Sequence, residues 1–135
     1  MLRRCLRVKA VVPEWGGMSR RPLAVDHTGR ARFPSRLCIE ATLFGITVGE
    51  LQVASSRDEG EIRSLLLRFG WMAGPVAARL LDGLVQLAPS ATWSRLIWGL
   101  DPGEKRLSRM ALTRQFRPTH SVAYEIVFER RLVDV

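Results

Sequence analysis

The sequence contains no asparagine, two lysines, two cysteines and one tyrosine. Cys5 and Cys38 stand alone, with no C-x-x-C and no histidine pair beside them. Two thiols could complete a four-ligand zinc site only with both His27 and His120, and the spacing gives no sign of one. No metal and no cofactor are therefore expected, and a disulfide knot is excluded. A Cys5–Cys38 bridge has no support in the pattern, and Cys38 reads as a small core residue. No apolar run approaches the roughly 18 residues needed to cross a bilayer, so no membrane span is expected. Met1 to Val12 opens with a basic cluster but has no long apolar stretch before Pro13. It makes no convincing signal peptide, and cytoplasmic synthesis without export is the default.

What is present suits one ordinary globular domain. The 135 residues, 47% hydrophobic and 25% charged, predict a single domain over 1–135 with its own core. Lysine plus arginine outnumber aspartate plus glutamate by 21 to 13, a net charge of +8. Nearly all the basic residues are arginine, a bias that a GC-rich genome or a hot-growing host produces without any functional demand. Such a charge attracts nucleic acid, anionic lipid or an acidic protein. The arginines form short scattered knots (Arg20-Arg21, Arg30-Arg32-Arg36, Arg106-Arg109-Arg114-Arg117) that do not alternate with aromatics. A base-stacking platform needs that alternation, so nucleic acid ranks below protein as a partner.

Leu6, Val8, Ala10 and Val12 alternate with polar residues and predict an opening strand. Residues 14–34 hold Gly16-Gly17, Pro22 and Gly29 without any period and predict a long loop, with a short strand at Leu23–Val25. Leu37 to Val48 predicts a strand bent near Gly45, followed by a second from Glu50 to Val53. Ser56 and Glu59 have the form of a capping box. Ile62, Leu65, Leu66 and Phe69 follow at helical spacing, predicting a helix that Gly70 ends. Pro75 to Ala88 predicts a second helix, apolar over most of its circumference. From Ala91 onward the pattern predicts a three-strand meander: Thr92–Gly99, Leu107–Phe116 and a final strand around Val122–Glu129, with turns at Asp101-Pro102-Gly103 and Arg117–His120. Leu107, Met110 and Ala111 fit a helical face as well. The expected class is α+β, with antiparallel strands flanking two central helices in β-α-α-β order.

Catalytic patterns are missing. No G-x-S-x-G elbow occurs, Gly103-Glu104-Lys105 lacks phosphate-loop spacing and reads as a hairpin turn, and Asp26-His27-Thr28-Gly29 reads as a turn. Asp58, Glu59 and Glu61 are explained by the expected helix start. Four tryptophans stand out, and Trp93 and Trp98 have opposite parity on one expected strand, so either one faces the core and the other a partner, or both lie in a core made from two layers.

The segment RPTHSVAYEIVFERRLV (Arg117–Val133) resembles the last strand of small tail and baseplate proteins of tailed bacteriophages. RLCIEATLFG, DEGEIRSLLLRF and RLIWG are compatible with their earlier strand, helix and strand. The resemblance implies a non-enzymatic virion protein, assembled in the host cytoplasm into a ring and held to its own copies and neighbouring tail proteins. It implies no catalytic residue and no small-molecule substrate. Arg20, Arg21, Arg30, Arg32, Trp93, Trp98, Arg114 and Arg117 are the expected partner contacts. A small RNA- or DNA-binding module is the alternative.

Overall fold

A computed structural model describes residues 6–13, 20–22, 36–56, 58–91 and 93–132. Eight strands form one sheet: β1 (Leu6–Pro13), β2 (Arg20–Pro22), β3 (Arg36–Leu43), β4 (Ile46–Ser56), β5 (Glu59–Leu67), β6 (Arg95–Leu100), β7 (Arg117–Val122) and β8 (Glu125–Arg131). Their order is β2-β1-β3-β4-β5-β6-β8-β7, seven long strands with the three-residue β2 at one edge. Every neighbouring pair is antiparallel except β5 and β6. Among the described residues two α-helices complete the fold, α1 (Ala73–Leu87) between the parallel strands and α2 (Lys105–Thr113) between β6 and β7.

This corrects the expected β-α-α-β order. The first expected helix is strand β5, and the cause is a β-bulge. Gln52 pairs with Ser64 while Val53 pairs with Ile62, so Arg63 is an extra residue in the ladder. Leu51 and Val53 share a face, and their partners Leu65 and Ile62 therefore share it too, three residues apart. A bulged strand thus reproduces helical spacing. The expected meander is also overturned: Leu107 to Thr113 lies in α2, which leaves a strand, a helix and a hairpin. The stretch read as a turn, Arg117–His120, belongs to β7, and the chain reverses instead at Ala123-Tyr124, where Ala123 has φ 52°. The helix expected from Pro75 is α1, ended by Ala88-Pro89. Of the expected loop at 14–34, residues 20–22 form β2, and the expected strand at Leu23–Val25 lies outside the described residues.

The β3–β4 hairpin turns on Phe44 (φ 53°) and Gly45 (φ 82°), the doubly left-handed pattern that matches strand twist. The core lies between the sheet and α1. Val76, Ala77, Leu80, Leu81 and Leu84 of the helix are buried, as are Leu37, Ile39, Ala41, Leu51 and Val53 of the strands beneath. Further along the same face Trp98 meets Phe116 edge-on, ring centres 6.2 Å apart, and Arg114 at the end of α2 reaches Asp82 of α1 at 2.9 Å. Both helices thus cover one face of the sheet.

Candidate functional site

The parallel pair is short. Glu59 to Ile62 match Arg95 to Trp98, and there the matching stops, although β5 runs on to Leu67 and β6 to Leu100. The bulge at Arg63 falls at that point of separation. A bulge bends its strand and increases its twist, so β5 turns away with β4 while β6 stays with β8. Between the diverging ends lies a notch whose walls are strand edges with backbone N–H and C=O groups not used by the β5–β6 ladder. Open sheets bind ligands in such crevices, outside the carboxyl ends of their parallel strands.

Each of these strands leads into a helix at that same end. β5 passes through Arg68, Phe69 and a 3-10 turn (Gly70–Met72) into α1, and β6 passes through Asp101–Glu104 into α2. Neither helix has an acidic residue in its first turn. Exposed Arg68, Lys105 and Arg106 add charge of the sign that helix dipoles already place there, offset in part by exposed Asp101 and Glu104, the N-cap of α2. Added side chains at Gly70 and Gly74 would meet nothing within 4 Å, so the backbone faces open space. Leu66, Phe69 and Trp71 are exposed beside it. Leu66, Leu67 and Arg68 also line a cavity of about 360 Å³ with Thr47, Gly49 and Glu50.

The sheet face away from the helices carries the polar chemistry. Arg95 forms ion pairs with Glu59 and, at 3.4 Å, with Glu129. Its guanidinium is held above its ordinary pKa, chiefly by the Glu59 hydrogen bond, against a smaller opposing effect of burial. The Ser64 hydroxyl, next after the bulge, is buried without a hydrogen-bond partner. Cys38, Glu40 and Glu50 bring their ligand atoms within 4.8 Å of one another, and each is engaged in an interaction.

The sheet order, the single parallel pair and the helix placement match solved structures. This is the fold of the GNAT acetyltransferases. A GNAT acetyltransferase of Streptococcus pneumoniae superposes with a TM-score of 0.65 at 14% identity, covering 73% of this chain and 68% of that one. The ribosomal-protein-S18-alanine N-acetyltransferase of Escherichia coli gives 0.67 at 10% identity, covering 77% and 74%. An N-acetyltransferase of Thermoplasma acidophilum, solved in complex with coenzyme A, gives 0.66 at 10%, covering 72% and 61%. No protein-family model matches the chain. By sequence, 53 residues are 38% identical to part of the 1-deoxy-D-xylulose-5-phosphate synthase of Thermus thermophilus. That stretch is 39% of this chain and only 9% of the synthase.

The GNAT fold overturns the resemblance to phage tail proteins, and with it the expectations of a non-enzymatic subunit, a ring, neighbouring tail proteins and a place in the virion. Its neighbours are enzymes of cellular organisms, and one holds a small molecule, coenzyme A, against the expectation of no small-molecule ligand. They also leave the nucleic-acid module without support. A short final strand, a proline turn and a charged tail are features that any sheet ending in a hairpin can share. Among the described residues no helix is long and apolar enough to cross a membrane.

Of the expected partner contacts, Trp93, Trp98, Arg114 and Arg117 are engaged within the chain. Trp93 precedes β6 rather than lying on it, and its indole N–H donates to Ser55 Oγ at 2.8 Å. Trp93 and Trp98 are each only 3% exposed, both inside the chain's own core. Arg114 ties α2 to α1, and Arg117 donates to the carbonyls of Leu112 and Phe116. Arg20 and Arg21 lie on β2, while Arg30 and Arg32 lie outside the described residues, as do Cys5, Asp26 and His27. The segments that form the notch, Arg68–Pro75 and Gly99–Arg106, were not singled out as a site. Gly103-Glu104-Lys105 closes no hairpin: it follows the turn at Pro102-Gly103 and leads into α2, which begins at Lys105. Two glycines and an arginine before a helix beginning at Pro75 were the available signal.

Proposed function

We infer that the protein is an acyltransferase that uses acyl-coenzyme A and passes the acyl group to an amine. The observation that carries this reading is the notch: an incomplete parallel pair whose two strands both feed helix N-termini flanked by Arg68, Lys105 and Arg106 and free of acidic residues in their first turns. The groups present fit such a cofactor. Helix N-termini and basic side chains suit a pyrophosphate, and the backbone at Gly70 and Gly74 leaves room for close approach. Pro75 has no N–H to offer, so the donors fall to Gly70, Trp71 and Gly74 with the Arg68 guanidinium. Bound there, the cofactor supplies an activated thioester carbonyl.

The chain's own contribution is positional. The β5 edge beyond Ile62 presents backbone groups along which an amide-bearing arm can lie, in the manner of an added strand. Exposed Leu66, Phe69 and Trp71 offer apolar contact to the rest of it. Holding acyl donor and amine together in one crevice turns a bimolecular encounter into an effectively unimolecular one. The deciding experiment is calorimetric titration of the full chain with coenzyme A and acetyl-coenzyme A, followed by thiol release with a panel of amines. Saturable binding, weakened at least tenfold in the double variant Arg68→Glu/Lys105→Glu, is the expected result. Absence of binding at millimolar cofactor overturns the reading.

A further inference from the structure

One carboxylate beside the notch is idle in the chemistry above. Glu125 opens β8, and its side chain lies across Gly99 of β6. A Cβ placed on Gly99 would fall 2.6 Å from Glu125 Oε2 and 3.2 Å from its Cδ. Glu125 therefore occupies the space that any other residue at 99 would claim. Gly99 is the first residue of β6 beyond the last β5–β6 pair, Ile62 with Trp98. The carboxylate thus hangs over the point where the strands part, on the sheet face away from both helices.

The other carboxylates that β3, β4, β5 and β8 place on that face are committed. Glu59 and Glu129 bind Arg95, Glu61 binds Arg63 at 3.4 Å, and Glu40 and Glu50 are engaged. Among the described residues Glu125 has neither an ion pair nor a hydrogen bond, and it is exposed. On a chain of net charge +8, a cation approaching the notch meets repulsion, and Arg68, Lys105 and Arg106 stand at its far side. Glu125 adds a carboxylate without an ion pair on the sheet face away from the helices, and it reverses that sign locally. The geometry points to Glu125 as the anchor for the ammonium group of the acceptor, a primary amine that arrives protonated. Gly99 acts with it as the residue whose missing side chain lets the carboxylate lie there.

This assignment rests on the acyl-transfer reading for its purpose, but its test does not need turnover. The full chain, isotopically labelled, is titrated with 2-phenylethylammonium chloride and, separately, with the neutral 2-phenylethanol, each with and without coenzyme A. The ammonium shifts the backbone amides of Gly99, Tyr124 and Glu125, and the alcohol does not. Glu125→Gln weakens ammonium binding about fivefold, the range of a solvent-exposed charge pair, and leaves the coenzyme A response intact. Gly99→Ala, which pushes the carboxylate aside, does the same. Equal response to ammonium and alcohol, or unchanged ammonium binding in Glu125→Gln, overturns the anchor. Ammonium binding that depends on Glu125 without any response to coenzyme A keeps the anchor and removes the acyl-transfer reading.

Discussion

The two halves of the sheet are built to different plans. In β1, β3, β4 and β5 the strands are antiparallel and covered by α1, and the centre of β3 from Leu37 to Ala41 is buried on both faces. In β6, β8 and β7 the core is confined to one face, around Trp98, Phe116 and Phe128, and every residue of β7 is exposed. Among the described residues the first half is a block buried on both faces at its centre, and the second a ledge whose second face is at most half-buried. The seam between them is the only parallel contact in the sheet among the described residues, and it is half made. A ligand site at such a seam costs the fold little, because each half keeps its own antiparallel ladders.

If the halves are separately anchored, each should have its own weakest point, and the largest effects should come from the core on either side. Phe116→Ala on the ledge and Leu80→Ala on the block remove fully buried side chains. Each is expected to lower stability by about 3–5 and 2–5 kcal/mol respectively, read from chemical denaturation. Similar losses from both positions would show that the ledge is as well held as the block.

Glycines on either strand of the seam sharpen the contrast. An added Cβ at Gly60 would sit 2.8 Å from the Trp93 ring, which is itself pinned to Ser55. Gly60→Ala is expected to destabilise by about 1–3 kcal/mol through overpacking. Gly99→Ala meets only the movable end of Glu125, so its melting temperature should stay within a few degrees of the parent while ammonium binding falls. A large loss of stability at Gly99 would show that Glu125 is part of the fold rather than free at the seam.

The smallest effects concern the ion pairs. Asp82→Ala cuts the α1–α2 link to Arg114 at a largely exposed carboxylate, and less than about 1 kcal/mol is expected by denaturation. The Arg95 cluster gives a pH statement with a definite sign. A cation whose folded pKa is raised adds stability below its unfolded pKa and loses it as pH rises through the folded value. For an arginine that window lies at extreme alkalinity, so thermal melts between neutral and mildly alkaline pH should show no slope from Arg95. A melting temperature that falls steadily across that range in the parent but not in Arg95→Gln would contradict this.

Much of the local structure was legible in the residues. Alternation at Leu6–Val12 and Leu37–Leu43 marks β1 and β3, Gly45 marks the bend between β3 and β4, and Pro75 with Pro89 frames α1. Ile62 and Leu65 misled, because one extra residue at Arg63 shifts the strand's phase and produces the spacing of a helix. Leu107, Met110 and Ala111 fit the helical face they form, but a nine-residue helix gives too few turns for its period to outweigh the strand reading of the segment. The notch had no signature at all. It is made of an edge, two helix starts and one glycine from segments far apart in the chain, and none of these is a motif alone.

The order of residues by itself determined which stretches are apolar on one side, where the chain must turn, and that the whole carries a strong positive charge. Those properties follow from local spacing and composition, which need no partner. Tertiary structure alone decided that β5 and β6 lie side by side and then separate, that a helix begins beyond each of them, and that Glu125 rests over Gly99. Pairing between distant strands is set by how the faces of the entire sheet can be covered together, and that is a property no single segment possesses.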